Sequence, residues 1–350
     1  MAAHYRGVGI LPWLGAAVLG LSLLVTQSAV AEPGASDRAA EAAARLGAGI
    51  NILSDDPLWS KTGPARFKLA DLDRIRRRGF QTVRINLQAF AHMDDARILD
   101  PDWLNTLDRV VDAAQAAGLN VILDEHDYQP CGLDPPTCKP RLMAFWQQVA
   151  ARYSQRPDTV LFEILNEPNK GLGAEAWNEL LAELIAEIRR TNPTRTLIVG
   201  PANWNSISFL PQLMLPEVDR NLIVTIHYYA PMAFTHQGAP WIEPPISKTT
   251  GVTWGTAVER AQIDADFVTA QDWGTRHGRP LLLGEFGAYE TGDMSSRVAY
   301  TAAIARAAER QGWGWIYWQF DVDFRAFSPE TDSWVAPIVG ALLPDPPLKR

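Results

Sequence analysis

The chain has 350 residues, of which 47% are hydrophobic and 21% charged, with a net charge of −8. It is too long for a minimal domain, its composition is that of a globular protein with a large core, and no Pro/Gly/Ser-rich linker or internal repeat divides it. The acidic balance gives no reason to expect nucleic acid or an anionic membrane as partner.

The N-terminus reads as a leader. His4 and Arg6 precede an apolar stretch over 8–25, followed by the small-residue end Ala29-Val30-Ala31. These are the parts of a secretory signal, with cleavage expected after Ala31 and a secreted or periplasmic product. An uncleaved anchor is the alternative, because the stretch approaches the ~20 residues of a membrane span; Pro12 and the A-x-A end favour cleavage. Residues 32–46 are then a lead-in and residues 47–345 a single catalytic-sized domain.

From residue 48 short apolar runs alternate with longer amphipathic segments. Strands are expected at 49–53, 82–87, 120–124, 160–165, 196–199, 222–227, 280–284 and 314–318, aliphatic on both faces as in a covered parallel sheet. Helices are expected at 69–78, 101–117, 141–154, 175–191, 256–277 and 295–311. The stretch 203–215 is weakly helical and interrupted by Pro211. Cys131 and Cys138 lie in a loop with Pro130, Pro135 and Pro136, and in an oxidising compartment such a pair reads as a disulfide. Half of a zinc site is the alternative, but the further thiols or histidines it needs are missing.

Eight strands with intervening helices predict a parallel sheet, closed as a (β/α)8 TIM barrel or open and doubly wound. The open form usually carries a glycine-rich phosphate loop after its first strand, and none is present. In the barrel, the C-terminal strand ends converge on the active site. Here they deliver Arg84 and Asn86, then Asp124-Glu125-His126-Asp127, Asn166-Glu167-Pro168, His227-Tyr228-Tyr229, Glu285-Phe286-Gly287 and Tyr317-Trp318-Gln319. Capping and solvated turns explain one or two of these groups, not six. Glu167 and Glu285 each follow an apolar run, where a carboxylate is costly unless paired or used. Two carboxyls across one barrel mouth suit cleavage of a glycosidic bond, one as proton donor and one as nucleophile.

The segments ILNEP (164–168) and LLGEFG (282–287), with VRIN (83–86), DEH (124–126), HYY (227–229) and YWQF (317–320), resemble glycoside hydrolase family 5, the cellulase-type retaining barrel glycosidases. The match runs in order over about residues 45–340. It implies Glu167 as acid/base and Glu285 as nucleophile, with Asn166 on the sugar 2-hydroxyl. Arg84 and Tyr229 would hold Glu285 as an oriented carboxylate. His126 and His227 would bond sugar hydroxyls or Glu167, and Trp318 would form the platform under the sugar at the cleavage point. Glu125 and Asp127 are either loop charges or, for Glu125, part of the cleft.

Thirteen tryptophans are a high count, and aromatic faces stack on pyranose rings. Trp59, Trp204 and Trp241 are expected along the cleft with Trp318, whereas Trp146, Trp177, Trp273 and Trp313 read as core. The expectation is therefore a monomeric retaining endo-β-1,4-glucanase on a β-linked oligo- or polysaccharide, without metal or organic cofactor and without an obligate protein partner. β-Mannan, xyloglucan or β-1,3-glucan are alternative substrates. A transglycosylase and an inactive carbohydrate-binding barrel are the other classes.

Overall fold

A computed structural model describes residues 34–60 and 63–344; the expected leader lies outside them. Eight parallel strands close into a barrel in sequence order. They are β1 (Ala48–Ile52), β2 (Thr82–Leu87), β3 (Asn120–Glu125), β4 (Val160–Glu163), β5 (Leu197–Val199), β6 (Leu222–His227), β7 (Leu281–Glu285) and β8 (Gly314–Tyr317). Each expected strand is present, within a residue or two at its ends. Outward-facing Val121, Leu123, Val160 and Phe162 pack under the surrounding helices.

The barrel interior follows from the two-residue alternation of a strand. On β3 the inward positions are Ile122 and Asp124; on β4, Leu161 and Glu163; on β6, Ile223, Thr225 and His227. The register puts Ile122 beside Leu161 and Asp124 beside Glu163. The lower interior is thus apolar and the upper one polar and charged.

The lead-in is a helix, Ala35–Leu46, which lies across the lower barrel opening. Its Ala39, Ala42, Ala43 and Leu46 pack against Ile122, Leu161, Ile198, Ile223, Leu282 and Ile316. Alanines suit this seat because a larger side chain would hold the helix off the barrel floor. Ala42 is 1% exposed; Ala42→Leu should cost about 1–3 kcal/mol by overpacking, read by denaturant unfolding, with kcat unchanged because the mouth is at the other end. No loss of stability would contradict this close fit.

Three expectations need correction. The segment around the cysteines is not a loop but two helices, Tyr128–Leu133 and Pro135–Arg152, joined by the Cys131–Cys138 disulfide with a Cα–Cα distance of 4.8 Å. Asp134 starts the second by accepting the Thr137 N–H, and Pro135 occupies the first helical turn, where no N–H is needed. Residues 203–205 are not helical either: all three have positive φ, and a 3-10 turn, Ile207–Gln212, follows. Trp59 is buried in the core rather than placed along the cleft. Among the described residues, no helix is long and apolar enough to cross a membrane.

Candidate active site

Arg84 is the hub of the barrel mouth. It is fully buried, and its five N–H groups are all engaged. Nε and Nη2 form a fork on Glu163 at 2.7 and 2.8 Å. Nη1 donates to Asn51 and Glu285, both at 2.8 Å, and Nη2 also donates to Asn166 Oδ1 at 2.8 Å. Asp124 Oδ1 lies 3.1 Å from Nη2, but the hydrogens there are already used, so this contact is coulombic. Burial works against the guanidinium, yet Asp124, Glu163 and Glu285 outweigh it and raise its pKa well above the ordinary value.

Glu285 ends β7. Its second oxygen accepts the Tyr229 hydroxyl at 3.0 Å. Burial, then the charges of Glu285 and Glu167, push the Tyr229 phenol well up, so it remains a donor. Between β6 and β7 the register skips, which pairs His227 with Glu285. Gly284 makes the skip possible: a Cβ there would lie 2.3 Å from Thr225 Oγ1 and 3.0 Å from His227 Nε2.

Glu167 lies just beyond β4 with φ 41°, a conformation that costs a non-glycine residue about 1–3 kcal/mol and is found where surrounding structure enforces it. Its Oε1 accepts from His227 Nδ1 at 2.8 Å. Burial raises its pKa to about 7, against the pull of His126 and Arg84. An oxygen of Glu167 and one of Glu285 lie within 4.8 Å of each other, with His227 Nδ1 inside the same radius. That spacing is also compatible with a cation, but the donor set fits one poorly. Glu285 already accepts from Arg84 and Tyr229, and a His227 Nδ1 that donates to Glu167 has no lone pair to offer.

His126 hydrogen-bonds Asp124 at 2.6 Å and stacks on Trp318 at 5.5 Å with 9° between the rings. Its Nε2 is 3.5 Å from Asn166 Nδ2. Burial lowers the His126 pKa but Asp124 more than compensates, and it ends raised. Glu125 is on the outer side of β3 by alternation. It is fully buried, and burial pushes its pKa well up; it accepts the Asp127 N–H, while Asp127 accepts that of Phe90.

Glu167, Glu285, Arg84, Asn166, His126, His227 and Tyr229 are therefore brought together as one network, with Trp318 on its edge. Trp204 and Trp241 are exposed, at 44% and 49%. Trp241 packs edge-on against Tyr289, and both neighbour Phe324, an aromatic group that sequence reading missed. Trp59 corrects the expectation. It is 7% exposed, its indole N–H donates to Leu53 O and its ring packs on Trp103, so it belongs to the core. Trp146, Trp177, Trp273 and Trp313 are buried as expected. The sequence reading also passed over Glu163, which an apolar run concealed, and Asn205, whose Nδ2 lies 3.2 Å from His227 Nε2.

Over residues 48–323 the chain matches the model of the cellulase family, glycosyl hydrolase family 5. It is 28% identical over 311 residues to endoglucanase H of Acetivibrio thermocellus, covering 85% of this chain and 33% of that protein. Against endoglucanase A of Clostridium longisporum it is 25% identical over 339 residues, covering 87% and 64%. The chain thus spans between one third and about two thirds of the length of these relatives. Among solved structures, endoglucanase Cel5A from Thermotoga maritima superposes with a TM-score of 0.82 at 36% identity, covering 87% of this chain and 99% of that one. The same protein has been solved with cellobiose and with mannotriose. Clostridial cellulose synthase subunit Z from Clostridioides difficile gives 0.80 at 32% identity, covering 85% and 99%.

Proposed function

The chain belongs to glycosyl hydrolase family 5, and from that premise we propose that it is a retaining endo-β-1,4-glucanase with Glu167 as acid/base and Glu285 as nucleophile. The observation that carries the reading is the approach of the two carboxyls to within 4.8 Å. Double displacement uses a separation of about 5–5.5 Å, whereas inversion needs ~6.5–9.5 Å to admit a water. Glu285, gripped by Arg84 and Tyr229, attacks the anomeric carbon as the glycosidic bond breaks. Glu167 gives its proton to the leaving oxygen. In the second half Glu167 takes a proton from water, which displaces Glu285 from the sugar. Trp318 would form the platform under the reacting sugar, with Trp204 and Trp241 beneath rings further along the chain. The leader read at the N-terminus suits an exported enzyme.

β-1,4-Glucan is the first substrate because the relatives carry endoglucanase names. β-Mannan is the second reading, favoured by the mannotriose complex of the Thermotoga protein.

The test is the pH profile. Glu167 must hold its proton to act as an acid, so kcat/KM on carboxymethyl cellulose should fall as pH rises through about 7. Glu167→Gln should abolish that limb and lower kcat by about 10²–10⁴-fold on the polymer. On an aryl cellobioside whose leaving group needs no proton, the bond-breaking step should suffer far less. Equal losses on both substrates would remove Glu167 from the acid role.

A further inference from the structure

Three consecutive residues after β5 lie in the left-handed region: Asn203 at φ 60°, Trp204 at 59° and Asn205 at 53°. Such a run without glycine persists only when its surroundings over-determine it. Two contacts do so. The Trp204 N–H donates to Pro168 O at 3.1 Å, which ties the turn to the residue following Glu167. Asn205 turns inward, fully buried, with its Nδ2 at 3.2 Å from His227 Nε2. Gly200 is needed for that seat, since a Cβ there would stand 2.0 Å from Asn205 Oδ1.

The opposite edge of the His227 ring faces two carboxyls. Nδ1 is 2.8 Å from Glu167 Oε1 and 3.5 Å from Glu285 Oε2. A lone pair aimed at those oxygens would be repelled, so Nδ1 carries a hydrogen. The charge of the ring is then decided at Nε2, and the group in front of it is an amide NH₂, which can only donate. A donor accepts a lone pair opposite it and rejects another N–H. Resting on the reading of Glu167 as acid/base, we propose that Asn205 is a positioning residue whose amide keeps His227 Nε2 unprotonated and the ring neutral, so that Glu167 retains the proton it delivers.

An imidazolium at 2.8 Å would strip that proton by favouring the carboxylate. Burial acts in the same direction as Asn205, holding the His227 pKa down to about 4. The other groups facing this pair are Glu285 on β7, Arg84 on β2, Asp124 and His126 from β3, and the phenols of Tyr128 and Tyr229. A change at position 205 alters none of them chemically.

Asn205→Asp exchanges the donor for an acceptor at nearly constant volume. His227 then takes a second proton, and the alkaline limb of kcat/KM on a cello-oligosaccharide should move down by about one pH unit or more. In ¹⁵N spectra the His227 Nε2 signal should pass from pyridine-like to pyrrole-like. A limb and a signal that both stay in place overturn the proposal. The parent protein tests the same point without any variant: Nε2 should remain pyridine-like between about pH 5 and 8, and a protonated Nε2 there overturns it. Glu167→Gln, assayed alongside, separates the two levels. If it loses polymer activity while Asn205→Asp behaves as the parent, the role of Asn205 alone fails; if it hydrolyses polymer at the parent rate, the acid/base reading beneath fails.

Discussion

Glu285→Ala should hydrolyse soluble β-1,4-glucan about 10⁵-fold more slowly than the parent, with its fold intact. The carboxylate supplies the bond that divides one difficult displacement into two easier ones, and no neighbour can replace it. Arg84 and Tyr229 donate to it and have no electron pair to offer the anomeric carbon. The truncation leaves those donors facing an empty space, which is a seat for a small anion. Azide should therefore restore part of the rate on an activated aryl glycoside and give an α-glycosyl azide, inverted relative to the β-linked substrate. Glu167→Ala should instead give the β-azide, because azide then enters at the second step, after Glu285 has inverted the centre once. The product anomer assigns the two glutamates. A β-azide from the Glu285 variant would reverse the roles proposed here.

Arg84→Lys should cost about 3–5 kcal/mol of stability, although the charge is conserved. Lysine has three donors on one atom, whereas Arg84 reaches Glu163, Asn51, Glu285 and Asn166 from three nitrogens. The lysine leaves Glu163 and Asp124, both fully buried, without adequate compensation. The sign with pH follows. Carboxylates that lose their cation bind protons more tightly in the folded state than in the unfolded one. The variant's deficit should thus be widest above the ordinary carboxylate range, near pH 8, and should narrow as pH falls towards about 4. Urea unfolding of both proteins across that range measures it. A deficit independent of pH would mean that the loss is one of packing rather than charge. Activity should fall as well, because Glu285 loses its strongest orienting contact.

Most of the barrel was legible because buried parallel strands are short aliphatic runs, and eight of them in alternation with helices leave few alternatives. The network around Glu167 and Glu285 was legible for a related reason: polar residues clustered where such runs ended. What escaped had no such contrast. Glu163 sits within Val-Leu-Phe-Glu-Ile-Leu and looks like one flaw in an apolar run, but alternation turns it inward beneath Arg84. Asn205 is hidden by an irregular turn whose three left-handed residues include no glycine. The helices flanking the disulfide were obscured by prolines that favour helix starts as well as loops. Trp59 shows the limit of reasoning from residue type: a tryptophan after a barrel strand can turn inward as readily as towards the cleft.

The helix Ala35–Leu46 imposes an order on how the molecule is assembled. It precedes every strand, yet its seat is built from residues between Ile122 and Ile316. When it leaves the ribosome or a translocation channel, that seat has not been made, and its alanine face has nothing to rest on. It must wait through most of synthesis, and its docking reports that the last strand has joined the first. The earliest segment of the domain is thus the natural place for a spectroscopic or cross-linking probe of whether the ring has closed.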